Sequence, residues 1–167
     1  MNTFGKFPGG RDVPDIATIE RFLAEPHIGF IGASRNPREF ANGVYRHLRD
    51  DGRILHPVHP EADEIEADPC VATVADLPDT VRAVLVMLDA ERARDVVDQC
   101  IDRGIDIIWL HRGAGAGAVS PDAIAACRAA GVAVVDGACP MMFAEPVGWF
   151  HRVHRRLAGR RFVPVPN

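Results

Sequence analysis

The chain has 167 residues, 47% of them hydrophobic and 25% charged, which is enough for a single domain with a full core. A formal net charge of -4 excludes a general nucleic-acid binder, whose phosphate affinity rests on clustered Lys and Arg. There is no apolar run of membrane-spanning length and nothing at the start reads as a signal peptide, so a cytoplasmic location without membrane contact is expected.

Residues 1–15 contain Gly5, Pro8, Gly9 and Gly10 and read as an irregular arm. A folded domain is expected over 16–158, followed by a tail over 159–167. Asp15 can cap a first helix in which Ile16, Ile19, Phe22 and Leu23 recur at helical spacing, and Pro26 stops it. Ile28 to Ile31 then reads as a buried strand. Gly32, Ala33 and Ser34 let the backbone turn sharply before the next helix, whose start would offer free N–H groups and a favourable dipole to an anion. Val44, Tyr45 and Leu48 give that helix its apolar face.

Arg53 to Val58 is a second strand, closing in His56-Pro-Val-His-Pro60, and its prolines keep it out of an interior ladder. Glu61 to Ala75 is acidic and loop-like, with a brief extended piece at Cys70-Val71. Val81 to Leu88 is apolar apart from Arg82, as a central parallel strand covered on both faces must be. Asp89 caps a helix from Ala90 to Arg103. Ile105 to Leu110 is a strand, His111 to Ala118 a glycine-rich loop, and Ser120-Pro121 the start of another helix. Val132 to Val135 is a last strand, and Cys139-Pro140 leads into a C-terminal helix carrying Phe143, Val147, Phe150 and Val153.

Strands alternating with helices at this spacing define an α/β fold: a doubly wound, Rossmann-like parallel sheet in a three-layer α/β/α single domain. Such sheets bind ligands outside the carboxyl ends of their strands. That edge collects Gly32 to Arg35, His56 to Pro60, Leu88, His111 to Gly115 and Gly137 to Met141. A dinucleotide fingerprint would need G-x-G-x-x-G at the first turn and an acid ending the second strand. The first turn here is Gly29-Phe-Ile-Gly32-Ala-Ser34 and the second strand ends in His59-Pro60. Histidine there, with Arg35 or Arg38 nearby, suits a phosphorylated ribose better than a free diol.

Five motifs occur in order: Gly32-Ala-Ser-Arg-Asn-Pro37, His56-Pro-Val-His-Pro60 with Glu64-Ile65, Asp76-Leu-Pro78, Trp109-Leu-His-Arg-Gly113, and Ala130 through Asp136 to Cys139-Pro140. The series resembles the small stand-alone CoA-binding domain proteins, which are similar to the CoA-binding domain of the succinyl-CoA synthetase alpha subunit. The resemblance covers about Glu25 to Phe143. It implies Gly32, Ala33, Ser34 and Arg35, with Pro37 completing the motif, at the diphosphate of coenzyme A or an acyl-CoA. It also implies Pro57 and His59 beside the adenosine, Met87 and Leu88 along the ligand path, and His111 and Gly113 at its edge. Two positions depart from the family pattern, His59 replacing an asparagine and His111 a glutamine, so two neutral amides become titratable rings.

Few residues invite chemistry. Cys139 at the expected start of the last helix could have a lowered thiol pKa and form a mixed disulfide or sense redox state; the plainer reading is a structural cysteine in a tight turn. The four cysteines show no metal or disulfide spacing, so no metal is expected. His151 and His154 share a helix face without a completing carboxylate. No nucleophile–base pair and no phosphate-loop lysine motif occurs. The sequence therefore points to non-catalytic binding or sensing, with an NAD(P)-binding oxidoreductase or redox sensor as the alternative. A homodimer through the aromatic, arginine-rich C-terminal helix is a further expectation.

Overall fold

The computed structural model of the chain describes residues 15–112 and 117–144. Its strands are His27–Ile31 (β1), Ile54–Val58 (β2), Glu64–Ile65 (β3), Asp68–Pro69 (β4), Ala83–Val86 (β5), Ile107–Leu110 (β6) and Ala133–Asp136 (β7). Its helices are Ile16–Leu23 (α1), Phe40–Asp50 (α2), Ala90–Arg103 (α3) and Pro121–Ala129 (α4). The expected caps are in place: the side chains of Asp15, Asp89 and Ser120 accept hydrogen bonds from first-turn amides of α1, α3 and α4.

Five strands form a parallel sheet in the order β2-β1-β5-β6-β7. The chain runs outward from β1 to β2, then returns past β1 to β5, so the order reverses between β1 and β5. That is the switch point of a doubly wound sheet. Side chains alternate across the sheet. Phe30, Leu85 and Trp109 pack with Phe22 of α1 and Val44, Tyr45 and Leu48 of α2. On the opposite face Val84, Val86, Ile108 and Leu110 pack with Val97 and Cys100 of α3 and Cys127 of α4. Burial on both faces explains why β5 and β6 read as continuous apolar runs.

Strand β2 is the edge, the position that suits Pro57 within it. On its free side the Val71 amide donates to the Pro57 carbonyl and the His59 amide to the Val71 carbonyl, both at 3.0 Å. The stretch Glu61 to Ala75 is not simply a loop: β3 and β4 make a hairpin whose turn residues Glu66 and Ala67 both have positive φ, 53° and 68°. Four side chains of α2 hold it. Tyr45 Oη donates to Asp68 at 2.7 Å, Arg49 to Asp68 at 3.2 Å, Arg46 to Glu66 at 2.6 Å and Asn42 to Glu66 at 2.9 Å.

The expected C-terminal helix falls within the described residues only at its start. Cys139-Pro140 opens a single 3-10 turn, Pro140–Met142, and Phe143 behind it tilts against Trp109 with ring centroids 6.1 Å apart. The N-terminal arm, Gly113, His151, His154, the arginine-rich segment and the proposed dimer helix lie outside the described residues.

Candidate functional site

A cavity of about 1020 Å³ opens at the carboxyl edge of the sheet. It follows the strand order. Val58 and His59 of the β2 end, Ile31 to Ser34 of the β1 end, Met87 and Leu88 after β5 and His111 after β6 all line it. Four adjacent strands span roughly 14 Å, so the cavity suits an elongated ligand. Of the residues picked out by sequence, it brings together Gly32, Ala33, Ser34, His59, Met87, Leu88 and His111. Arg35, Pro37, Pro57 and Cys139 are not among its lining residues.

Gly32 sits at the switch point with φ +108°, and a Cβ there would lie 2.4 Å from the Met87 carbonyl oxygen. No other residue fits this close approach of two strand ends. The turn beyond it is held from below by Asn42, a buried polar residue of α2 with 1% exposure. Its Oδ1 accepts from the Ser34 amide at 2.9 Å, and its Nδ2 donates to the Ser34 carbonyl at 2.8 Å as well as to Glu66. The Ser34 amide is thus committed within the protein rather than offered to a ligand, which narrows the expected anion cradle.

The helix start is also displaced. Ser34 Oγ accepts from the Asn36 amide and Asn36 Oδ1 from the Arg38 amide, and α2 begins only at Phe40, with Glu39 in its cap position. Arg35 reaches across the mouth to Glu61, 3.4 Å away, with both side chains largely exposed. Glu61 itself lines the cavity, so an acid does stand beyond the end of β2. The sequence reading missed Arg92, a lining cation in the first turn of α3, which pairs with Asp89 at 2.6 Å. The hydrogen bonds from the Arg92 amide and guanidinium hold the Asp89 carboxyl below its ordinary range.

His111 closes the β6 end. The residue is 7% exposed, its ring lies against Phe40 with centroids 5.7 Å apart, and its Nε2 has no hydrogen-bond partner among the described residues. Burial pushes its pKa down to about 4, so the imidazole is neutral at physiological pH. A buried polar atom without a partner costs about 1–3 kcal/mol. The backbone here is fixed: the His111 amide donates to Val86 at 3.0 Å and its carbonyl accepts from Ala118 at 2.9 Å. Gly117, at φ +57°, makes this possible, since a Cβ would fall 2.3 Å from the His111 oxygen. Arg112 sends its amide to the Ala138 carbonyl at 3.3 Å.

The lowered thiol weighed for Cys139 is not found, and the surroundings agree with the plainer reading of a structural cysteine in a tight turn. The residue is 8% exposed, burial pushes its pKa up, and the turn it precedes is too short to supply a helix dipole. No group of three or more metal-binding side chains occurs among the described residues, and no described helix is long and apolar enough to cross a membrane.

Residues 27–145 match the CoA binding domain family, and the chain belongs to that family. An ADP-forming acetate–CoA ligase II of Archaeoglobus fulgidus is 29% identical over 95 residues, covering 56% of this chain but 14% of the ligase. A conserved hypothetical protein of Pyrococcus furiosus is 28% identical, with a TM-score of 0.63 over 68% of this chain and 94% of its own. A hypothetical protein of Pyrococcus horikoshii shares the fold at a TM-score of 0.71 and 24% identity, over 95% of this chain and all of its own. The matched region thus corresponds to a small portion of the ligase and to nearly the whole of these small proteins.

Proposed function

We propose that the protein binds coenzyme A or an acyl-CoA without catalysing a reaction on it, in a binding or sensing role. The observation that carries the reading is the cavity laid across four strand ends around Gly32, in a chain of the CoA-binding domain family. The diphosphate fits the Gly32–Ala33 turn at the switch point, with Arg92 and Arg35 as the cations within reach. His59 and Pro60 border the adenosine end, and Met87 and Leu88 the pantetheine path. Pro57 acts from inside β2, shaping the edge rather than touching the ligand.

Among the described residues the cavity lining pairs no nucleophile with a base, and the chain matches 14% of the ligase's length, so the ligase's reaction is not carried over to this protein. We also place the protein in the cytoplasm, on its dispersed and unpaired cysteines. A second reading rests on Glu61, which could accept from a ribose diol and so admit a nicotinamide nucleotide. Its carboxylate already faces Arg35, which favours a phosphorylated ribose instead. Native mass spectrometry of the gently purified protein, followed by titration with CoA and with NAD, separates the two. CoA saturation without NAD binding supports the proposal; NAD binding alone overturns it.

A further inference from the structure

The two ends of the cavity differ in chemistry, and the difference names the part of the ligand each can take. Around β2 and β1 stand the half-buried His59 and the exposed Glu61, with the exposed Arg35 pairing Glu61 from outside the lining. Beyond the ends of β5 and β6 stand Met87, Leu88 and the buried imidazole of His111 with Phe40 against it, and α3 adds Val96 beside the polar Arg92, Asp95 and Gln99 to the same lining. That imidazole is neutral, because burial disfavours its charged form. Buried surroundings disfavour a phosphate, and a neutral ring nitrogen there can pair with an uncharged polar group. Its Nε2 finds no partner among the described residues, and the ring tilted over it, Phe40, is 56% exposed. An exposed ring at a rim can swing aside and then lie along an apolar chain.

We infer that the β6 end is an acyl pocket: the protein prefers an acyl thioester of CoA to free CoA, with the thioester carbonyl accepting a hydrogen bond from His111 Nε2 and the acyl chain lying against Phe40. The inference rests on the proposed CoA binding and adds to it the class of ligand that is favoured. Free CoA ends in a thiol, a weak acceptor that leaves the imidazole poorly satisfied. The reach of the pocket is short, since His111 backs directly onto the sheet through the hydrogen bond its amide donates to the Val86 carbonyl. Acetyl and butyryl groups are therefore the probes of choice.

The test is isothermal titration of the full chain with CoA, acetyl-CoA and butyryl-CoA, using wild type, His111→Phe, His111→Gln and Phe40→Ala. Wild type should bind acetyl-CoA about five- to tenfold more tightly than CoA, the worth of one satisfied hydrogen bond. His111→Phe keeps the ring volume without a donor and should bring that ratio to within twofold. His111→Gln restores an N–H donor and should recover a ratio above threefold, which a merely structural role for the ring would not produce. Phe40→Ala should cut the butyryl-CoA preference while leaving most of the acetyl-CoA preference. Equal affinity of wild type for CoA and acetyl-CoA, or a ratio untouched in His111→Phe, overturns the inference while CoA binding stands. Binding of neither ligand overturns the CoA reading beneath it.

Discussion

The two ends of the cavity are built on one device and finished differently. At the β1 end a glycine lets a strand end approach the Met87 carbonyl; at the β6 end Gly117 lets the chain return against the His111 carbonyl. Beyond that shared backbone contact the solutions diverge. The β1 turn is braced by a polar relay, Ser34 to Asn42 to Glu66, that leaves its amide and carbonyl satisfied. The β6 end is closed by a buried imidazole whose Nε2 is without a partner among the described residues. A fully satisfied network specifies a shape, whereas an unsatisfied buried group stores a cost that a ligand can relieve. The first end is thus a rigid seat, and the second holds a ring nitrogen that a ligand can pair.

The largest effect should come from breaking the shared device. Gly32→Ala places a Cβ 2.4 Å from the Met87 oxygen at φ +108°, and should cost about 4 kcal/mol in urea unfolding, with loss of CoA binding. Asn42→Ala attacks the seat alone. It leaves the Ser34 amide and carbonyl and part of Glu66 unpaired inside the protein, and should cost about 3 kcal/mol. If it unfolds no more easily than wild type, the relay is not what holds the turn.

The other end is sharpened by pH. The folded His111 has its pKa lowered to about 4, against an ordinary value near 6.5. Below 6.5 the unfolded chain therefore takes up a proton that the folded chain refuses. Stability from this group is complete above pH 6.5 and falls as pH drops toward 4, by about 2 kcal/mol between pH 7 and pH 5. His56, whose pKa burial also lowers, contributes in the same direction. Urea unfolding at both pH values should show the loss, and His111→Gln should remove most of it. The smallest effect is at the mouth. Arg35 and Glu61 are exposed at 65% and 72%, so Arg35→Ala should change stability by less than about 0.5 kcal/mol, while weakening CoA binding several-fold in titration.

The frame of the molecule was legible because it rests on local rules. Asp15, Asp89 and Ser120-Pro121 announce helix starts, and the apolar runs around Leu85 and Ile108 announce strands buried on both faces. The ordered motifs carried the family and the position of the Gly32 turn. The β3–β4 hairpin was hidden because its turn, Glu66-Ala67, takes positive φ without the Asn-Gly signature. Asn42 was hidden for a related reason, since an asparagine on an amphipathic helix reads as a solvent-facing residue until the element it braces is in place. Phe40 and Arg92 reach the cavity from helix starts whose placement depends on the tertiary packing. At Cys139 the sequence left two readings, an activated thiol at a helix start and a structural cysteine in a tight turn, and the structure holds a 3-10 turn and a buried thiol.

The central claim is that one ligand lies along the whole edge from β2 to β6. Backbone amide shifts of the full chain during titration with CoA test it most directly. The account predicts saturable shifts at Gly32, Ala33, His59, Leu88 and His111 together, with the α4 and β7 amides unmoved. Shifts confined to one end, or centred on the opposite edge of the sheet, would contradict it.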